Sequence, residues 1–73
     1  MNEQEIKETL ARENAEFRKI LEEHRTCEQA LETIRAKTHP TESDGLTERD
    51  LKKRKLALKD RMYRIMADFE NRR

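Results

Sequence analysis

His24 and Cys27 are the residues of this chain best suited to bind a metal ion. They are three positions apart, so one helix face would present an imidazole nitrogen and a thiolate, both zinc ligands. A structural zinc site needs four ligands, and the only other histidine, His39, lies far along the chain. We therefore expect no metal site and predict that both side chains belong to a helix-packing surface.

A run of cations is the second feature that could do chemistry, because lysine and arginine neutralise phosphates. Successive residues of a helix point around its whole circumference, and acidic residues lie close by in the sequence. A solvated helix surface is therefore the favoured interpretation. Phosphate binding is the alternative, in nucleic acid or anionic lipid, and would use Lys52, Lys53, Arg54, Lys55 and Lys59.

No pattern in the sequence indicates an active site. Gly45 is the only glycine, which excludes a glycine-rich phosphate loop, and no motif pairs a nucleophile with a base. A chain of 73 residues is also too short to enclose a substrate pocket. We therefore predict that the protein is not an enzyme and uses no cofactor.

Apolar residues recur in two stripes with the three-four spacing of a helical seam. The stripes mirror each other about the only strong break in the chain, around Pro40 and Gly45. This match predicts an all-α fold, an antiparallel two-helix hairpin with coiled-coil-like packing. The predicted seam consists of Phe17, Ile20, His24, Cys27, Leu31, Ile34, Leu51, Leu58, Met62, Ile65 and Phe69.

Breaker and capping residues set the predicted helix boundaries. The first helix is expected over residues 3–37, because no glycine or proline precedes Pro40. Residues 38–47 form the predicted turn, and Thr47 is the predicted N-cap of a second helix over residues 48–71. The first helix is thus the longer one, by roughly three turns.

Five apolar residues have no place in the predicted seam. Ile6 and Leu10 would lie on the overhang of the longer first helix, whereas Leu56, Tyr63 and Met66 form a stripe displaced from the seam. Apolar stripes on so polar a chain need cover. We expect a second copy to provide it in a homo-oligomer, most simply a two-fold dimer, with an unidentified protein partner as the alternative.

Composition places the chain among long, solvated helical proteins. Apolar residues make up 33% and charged residues 45%, with a net charge of +1, so one domain spanning residues 1–73 is expected. The single cysteine, Cys27, excludes an internal disulfide framework and fits a reducing compartment. No apolar run resembles a signal peptide or a membrane span. We therefore expect a cytoplasmic protein.

Two segments carry a resemblance to a known family. F-R-K-I-L-E-E-H begins at Phe17, and L-K-K-R-K-L-A-L-K-D-R-M-Y-R-I-M begins at Leu51. Together they resemble the YdcH-like family of short bacterial proteins of unknown function, over about Glu13 to Phe69. The residues that match the family pattern in the second segment are Leu51, Lys52, Leu56, Leu58, Lys59, Asp60 and Tyr63.

The resemblance implies a helical hairpin that tends to self-associate, and it implies no activity. With the residue patterns, it favours a small structural or adaptor protein that binds other helices, mainly through self-association. A nucleic-acid-associated protein that uses the basic second helix is the alternative.

Overall fold

Three helices form the protein in the computed structural model, which describes residues 1–72. They are α1, Glu3–Glu13, α2, Ala15–Arg35, and α3, Glu42–Asn71, and no strand occurs in this part of the chain. Helices α2 and α3 pack against each other in opposite directions, and α1 folds back onto one face of the pair. The molecule is elongated, with extents of 50 × 20 × 16 Å.

The predicted two-helix hairpin is wrong, although the all-α class is right, because the first predicted helix is interrupted at Asn14. This residue is extended, with φ −120° and ψ 108°, and its side-chain Oδ1 accepts from the N–H of Phe17 at 2.9 Å. Arg18 completes the joint by donating from Nη1 to the carbonyl of Ala11 at 3.0 Å. Asparagine is a favoured N-cap, so a helix can start anew at this position without glycine or proline.

The predicted overhang of the first helix does not exist either. Ile6 and Leu10 are only 3% and 4% exposed, since α1 turns back and buries both in the core that α2 and α3 share. Full burial of such a side chain contributes about 1.5–3 kcal/mol. Two of them offset the modest cost of breaking the helix at a residue that already favours capping.

Helix α3 begins six residues before the predicted start at residue 48. Its N-cap is Thr41, whose hydroxyl accepts from the N–H of Asp44 at 3.0 Å, while the N–H of Thr41 donates to Asp44 Oδ2 at 2.9 Å. Thr47, the predicted cap, and Gly45, the predicted turn residue, both lie inside α3. The turn between α2 and α3 is correspondingly shorter than residues 38–47.

Two features explain why the earlier capping sequence prevails over the later one. Pro40 directly precedes Thr41, and a helix cannot continue through Pro40 because proline has no N–H to donate and its ring clashes with the carbonyl four residues earlier. Lys37, at the other end of the turn, places its Nζ 2.8 Å from Asp44 Oδ1. This hydrogen bond from Lys37, followed by that from the backbone of Thr41, lowers the pKa of Asp44.

The core is a narrow apolar strip that draws on all three helices. None of the buried side chains among residues 1–72 is polar or charged. In this part of the chain, three ion pairs outside the strip join α2 to α3, including Lys55 Nζ to Glu28 Oε1 at 3.3 Å. The buried residues are Ile6, Leu10, Phe17, Ile20, Cys27, Leu31, Leu58, Met62 and Met66.

Candidate helix-binding surface

Most of the residues predicted to form the seam belong to the apolar core or pack against it. The structure buries Phe17, Ile20, Cys27, Leu31, Leu58 and Met62. It leaves His24, Ile34, Leu51, Ile65 and Phe69 half-buried at the margins of the strip. Because these side chains are occupied within one chain, a partner has to be sought among the remaining residues.

The five residues predicted as an association face do not lie together. Ile6, Leu10 and Met66 are buried in the core, since α1 covers the side of α3 on which Met66 lies. Leu56 and Tyr63 remain exposed, at 68% and 44%. The sequence pattern missed that the docking of α1 onto α2 and α3 buries Ile6, Leu10 and Met66 together.

Leu56 and Tyr63 form the centre of an exposed face of α3, together with Lys52 and Lys59. We call these four residues the Leu56–Tyr63 surface. Their spacing of four, three and four positions keeps them on one side of the helix, within about 60° of its circumference. The long aliphatic stems of the two lysines can extend the apolar area while their ammonium groups stay in water.

The N-terminal end of α1 lies at the edge of this surface. The Tyr63 hydroxyl lies 3.5 Å from Glu3 Oε1, to which it donates, so the first residue of α1 stands beside Tyr63. Leu56 lies two turns further from α1 and remains uncovered. The 11 residues of α1 are therefore too few to cover this flank of α3 along its whole length.

The predicted phosphate-binding cations do not converge on one surface. Lys52 is 3.8 Å from Glu48 Oε1, and Lys55 is paired with Glu28 on α2. Arg54 lines a groove on the side of the hairpin opposite α1. Lys53 is exposed on the outer side of α3, away from α1 and α2. Only Lys52 and Lys59 therefore share the face that carries Tyr63.

The groove beside Arg54 is shallow, with a volume of about 430 Å³. Cys27 and Leu51 contribute its apolar wall, and Lys19, Glu22 and Glu23 stand at its rim. The groove runs between α2 and α3, and its lining side chains form no catalytic arrangement.

His24 and Cys27 lie close to the core on neighbouring turns of α2. The Nδ1 of His24 is 3.8 Å from Glu28 Oε1, whereas its Nε2 is buried without a hydrogen-bond partner. Cys27 is a buried free thiol. Within residues 1–72, no three or more histidine, cysteine or acidic side chains are grouped so that they could hold a metal ion.

No helix in the described part of the chain is both long enough and apolar enough to cross a membrane. No curated protein and no solved structure matched this chain. Residues 17–66 match a family described as "Protein of unknown function (DUF465)". The match extends from the first buried residue of α2 to Met66 of α3 and leaves α1 outside. Since it covers more than half of the sequence, the chain belongs to the DUF465 family of proteins of unknown function.

Proposed function

We propose that this protein is a small structural module that binds other α-helices, its own copies in particular, through the Leu56–Tyr63 surface. The observation that supports it is the strong exposure of Leu56 and Tyr63 on one face of α3, in a chain that buries most of its other large apolar side chains. Exposed apolar pairs of this kind lower their free energy when a partner helix removes them from water.

Self-pairing of this surface is geometrically consistent. Two α3 helices that run antiparallel about a two-fold axis between Lys59 and Asp60 place Leu56 of each copy opposite Tyr63 of the other. The same axis puts Lys59 beside the second copy's Asp60. Two turns further out, Arg49 faces the second copy's Glu70, so opposite charges flank the apolar contacts. Such an isologous arrangement closes on itself as a dimer.

Sedimentation equilibrium tests this proposal with a matched pair of variants. Leu56→Glu combined with Tyr63→Glu places two carboxylates at the centre of the contact and should weaken association at least tenfold. Leu46→Glu makes the same type of change at an exposed leucine of α3 that lies off the surface, and should leave association unchanged. A wild-type protein that stays monomeric at hundreds of micromolar would refute self-pairing.

Nucleic-acid binding through the cations of α3 is the competing function, since Lys52 and Lys59 flank the exposed Tyr63. Salt distinguishes the two, because phosphate binding weakens steeply with ionic strength, whereas apolar helix pairing does not. We expect self-association to persist when the salt concentration is raised. A labelled oligonucleotide that binds at low salt, and is released as Lys52→Gln and Lys59→Gln are introduced, would favour the competing function.

We also propose a finer identification: the motif from Leu51 to Met66 resembles that of YdcH-like bacterial proteins, and the single cysteine fits a reducing compartment such as the cytoplasm. We propose no catalytic activity and no cofactor for this protein.

A further inference from the structure

We propose that α1 exchanges between two copies of this chain when the joint at Asn14 straightens into helix. In the resulting dimer, α1 of each copy packs on α2 and α3 of the other. This inference goes beyond the proposed function, because it concerns a different segment and does not require the Leu56–Tyr63 surface.

The joint between α1 and α2 consists of one residue. The N–H of Asn14 donates to the Leu10 carbonyl at 2.8 Å, and its own carbonyl accepts from the N–H of Arg18 at 3.0 Å. The hydrogen-bond ladders of both helices therefore already include Asn14. Moving φ and ψ of this residue from −120° and 108° into the α-helical region is the main change needed to join α1 and α2 into one helix.

Straightening also leaves the backbone groups around the joint satisfied. In the folded-back form, Arg18 Nη1 donates to the carbonyls of Ala11 and Arg12, at 3.0 and 3.3 Å. In a continuous helix, those two carbonyls accept from the N–H groups four residues later, at Ala15 and Glu16. The side-chain bonds that hold the bend are thus replaced by ordinary helical bonds.

The apolar pattern continues through the bend without a shift. Ile6, Leu10, Phe17 and Ile20 follow the spacing of a single helical seam, although Asn14 interrupts the helix between the second and third. In the straight form, Ile6 and Leu10 would project past the end of the hairpin and lose their cover. The straight form therefore needs a partner that offers the same apolar site.

A second copy offers that site in the right direction. Within one chain, α1 runs antiparallel to α2, and Gln4 and Lys7 line a cleft with Leu21 and Arg25. These positions lie almost symmetrically about Asn14. Two straight helices placed antiparallel, with their Asn14 residues side by side, therefore bring the same positions together across the two chains. The arrangement has a two-fold axis and closes as a dimer.

Two substitutions of Asn14 test the role of the joint. Asn14→Ala and Asn14→Gly both remove the bond to the Phe17 N–H, but alanine favours the continuous helix over glycine by about fivefold per joint. With two joints per dimer, the Ala variant should dimerise about 25-fold more tightly than the Gly variant. Equal dissociation constants for the two variants, both helical by circular dichroism, would overturn the proposal.

Cross-linking between chains shows directly whether α1 is exchanged. In a Cys27→Ala background, one population carries Glu3→Cys and a second carries Ala67→Cys, two positions that line the same cleft in the folded-back form. After the populations are mixed and equilibrated, a short bis-maleimide should join the two different chains, with a yield that rises with protein concentration. Leu56→Glu alone changes a residue that α1 leaves uncovered, so it should weaken pairing through α3 and leave this yield unchanged.

A chain that carries both Glu3→Cys and Ala67→Cys serves as the control for linkage within one chain. The exchange would be overturned if this chain is linked internally while the singly substituted chains are never linked to each other, at any concentration. Asn14→Asp retains a side-chain oxygen for the cap, and so should keep the wild-type yield. Since wild type, Asp, Ala and Gly form a series at one position, poor folding of one variant leaves the comparison intact.

Discussion

The loss of stability on replacing Leu10 by alanine distinguishes the three-helix structure from a two-helix hairpin in which α1 is a free overhang. Leu10 is 4% exposed, and only one other buried residue, Ile6, anchors α1 to the core. Buried leucine-to-alanine changes typically cost 2–5 kcal/mol. Because α1 lies at the edge of the core and can partly relax, we expect a loss near the lower end, about 2–3 kcal/mol, in the free energy of unfolding.

The matched control is Leu46→Ala, the same change at a leucine of α3 that is 57% exposed. It should alter stability by no more than about 0.5 kcal/mol. Urea unfolding followed by circular dichroism measures both variants, and the Leu10 variant should also melt roughly 10–20 °C lower than wild type. Measurements at two protein concentrations separate folding from association. Equal losses for the two variants would refute the docking of α1.

Three further predictions concern the start of α3. Thr41→Ala should lower the free energy of unfolding by about 1 kcal/mol, whereas Thr47→Ala should change it very little. A larger loss for Thr47→Ala than for Thr41→Ala would show that Thr47 is the N-cap after all. Gly45→Ala should stabilise by about 0.5–1 kcal/mol in urea unfolding, because the added Cβ meets no atom within 4 Å; destabilisation would contradict a helical Gly45. Since Lys37 lowers the pKa of Asp44, that residue's contribution is complete above the unfolded pKa, near 3.8, and is lost as pH falls through the folded value. Asp44→Asn should therefore flatten the acid side of the pH–stability profile, and an unchanged profile would contradict the pairing.

Helical character and the choice of inward faces follow from local sequence alone. The seven-residue repeats that run through Phe17, Ile20 and Leu31, and through Leu58 and Met62, define one apolar side for each helix. A stripe of this kind has to be buried whatever the partner is, so periodicity predicts it without knowledge of the fold. Pro40 similarly marks a break, because its ring prevents the helix from continuing through it.

The start of α3 was ambiguous in the sequence, because Thr41 and Thr47 each precede an aspartate by three residues. Only the ion pair across the turn, between Lys37 and Asp44, together with the neighbouring Pro40, distinguishes the two. That contact depends on how α2 and α3 approach each other, so a scan of local capping patterns cannot find it.

The bend at Asn14 was decided by tertiary structure. Asparagine is tolerated inside a helix at a cost below about 1 kcal/mol, and it is also a good N-cap, so the local preference between a straight and a folded-back chain is small. Burial of Ile6 and Leu10 against the side of α3 that carries Met66 outweighs that preference. The sequence by itself determined which residues of α1 are apolar, and the packing of three helices decided that their cover comes from the same chain.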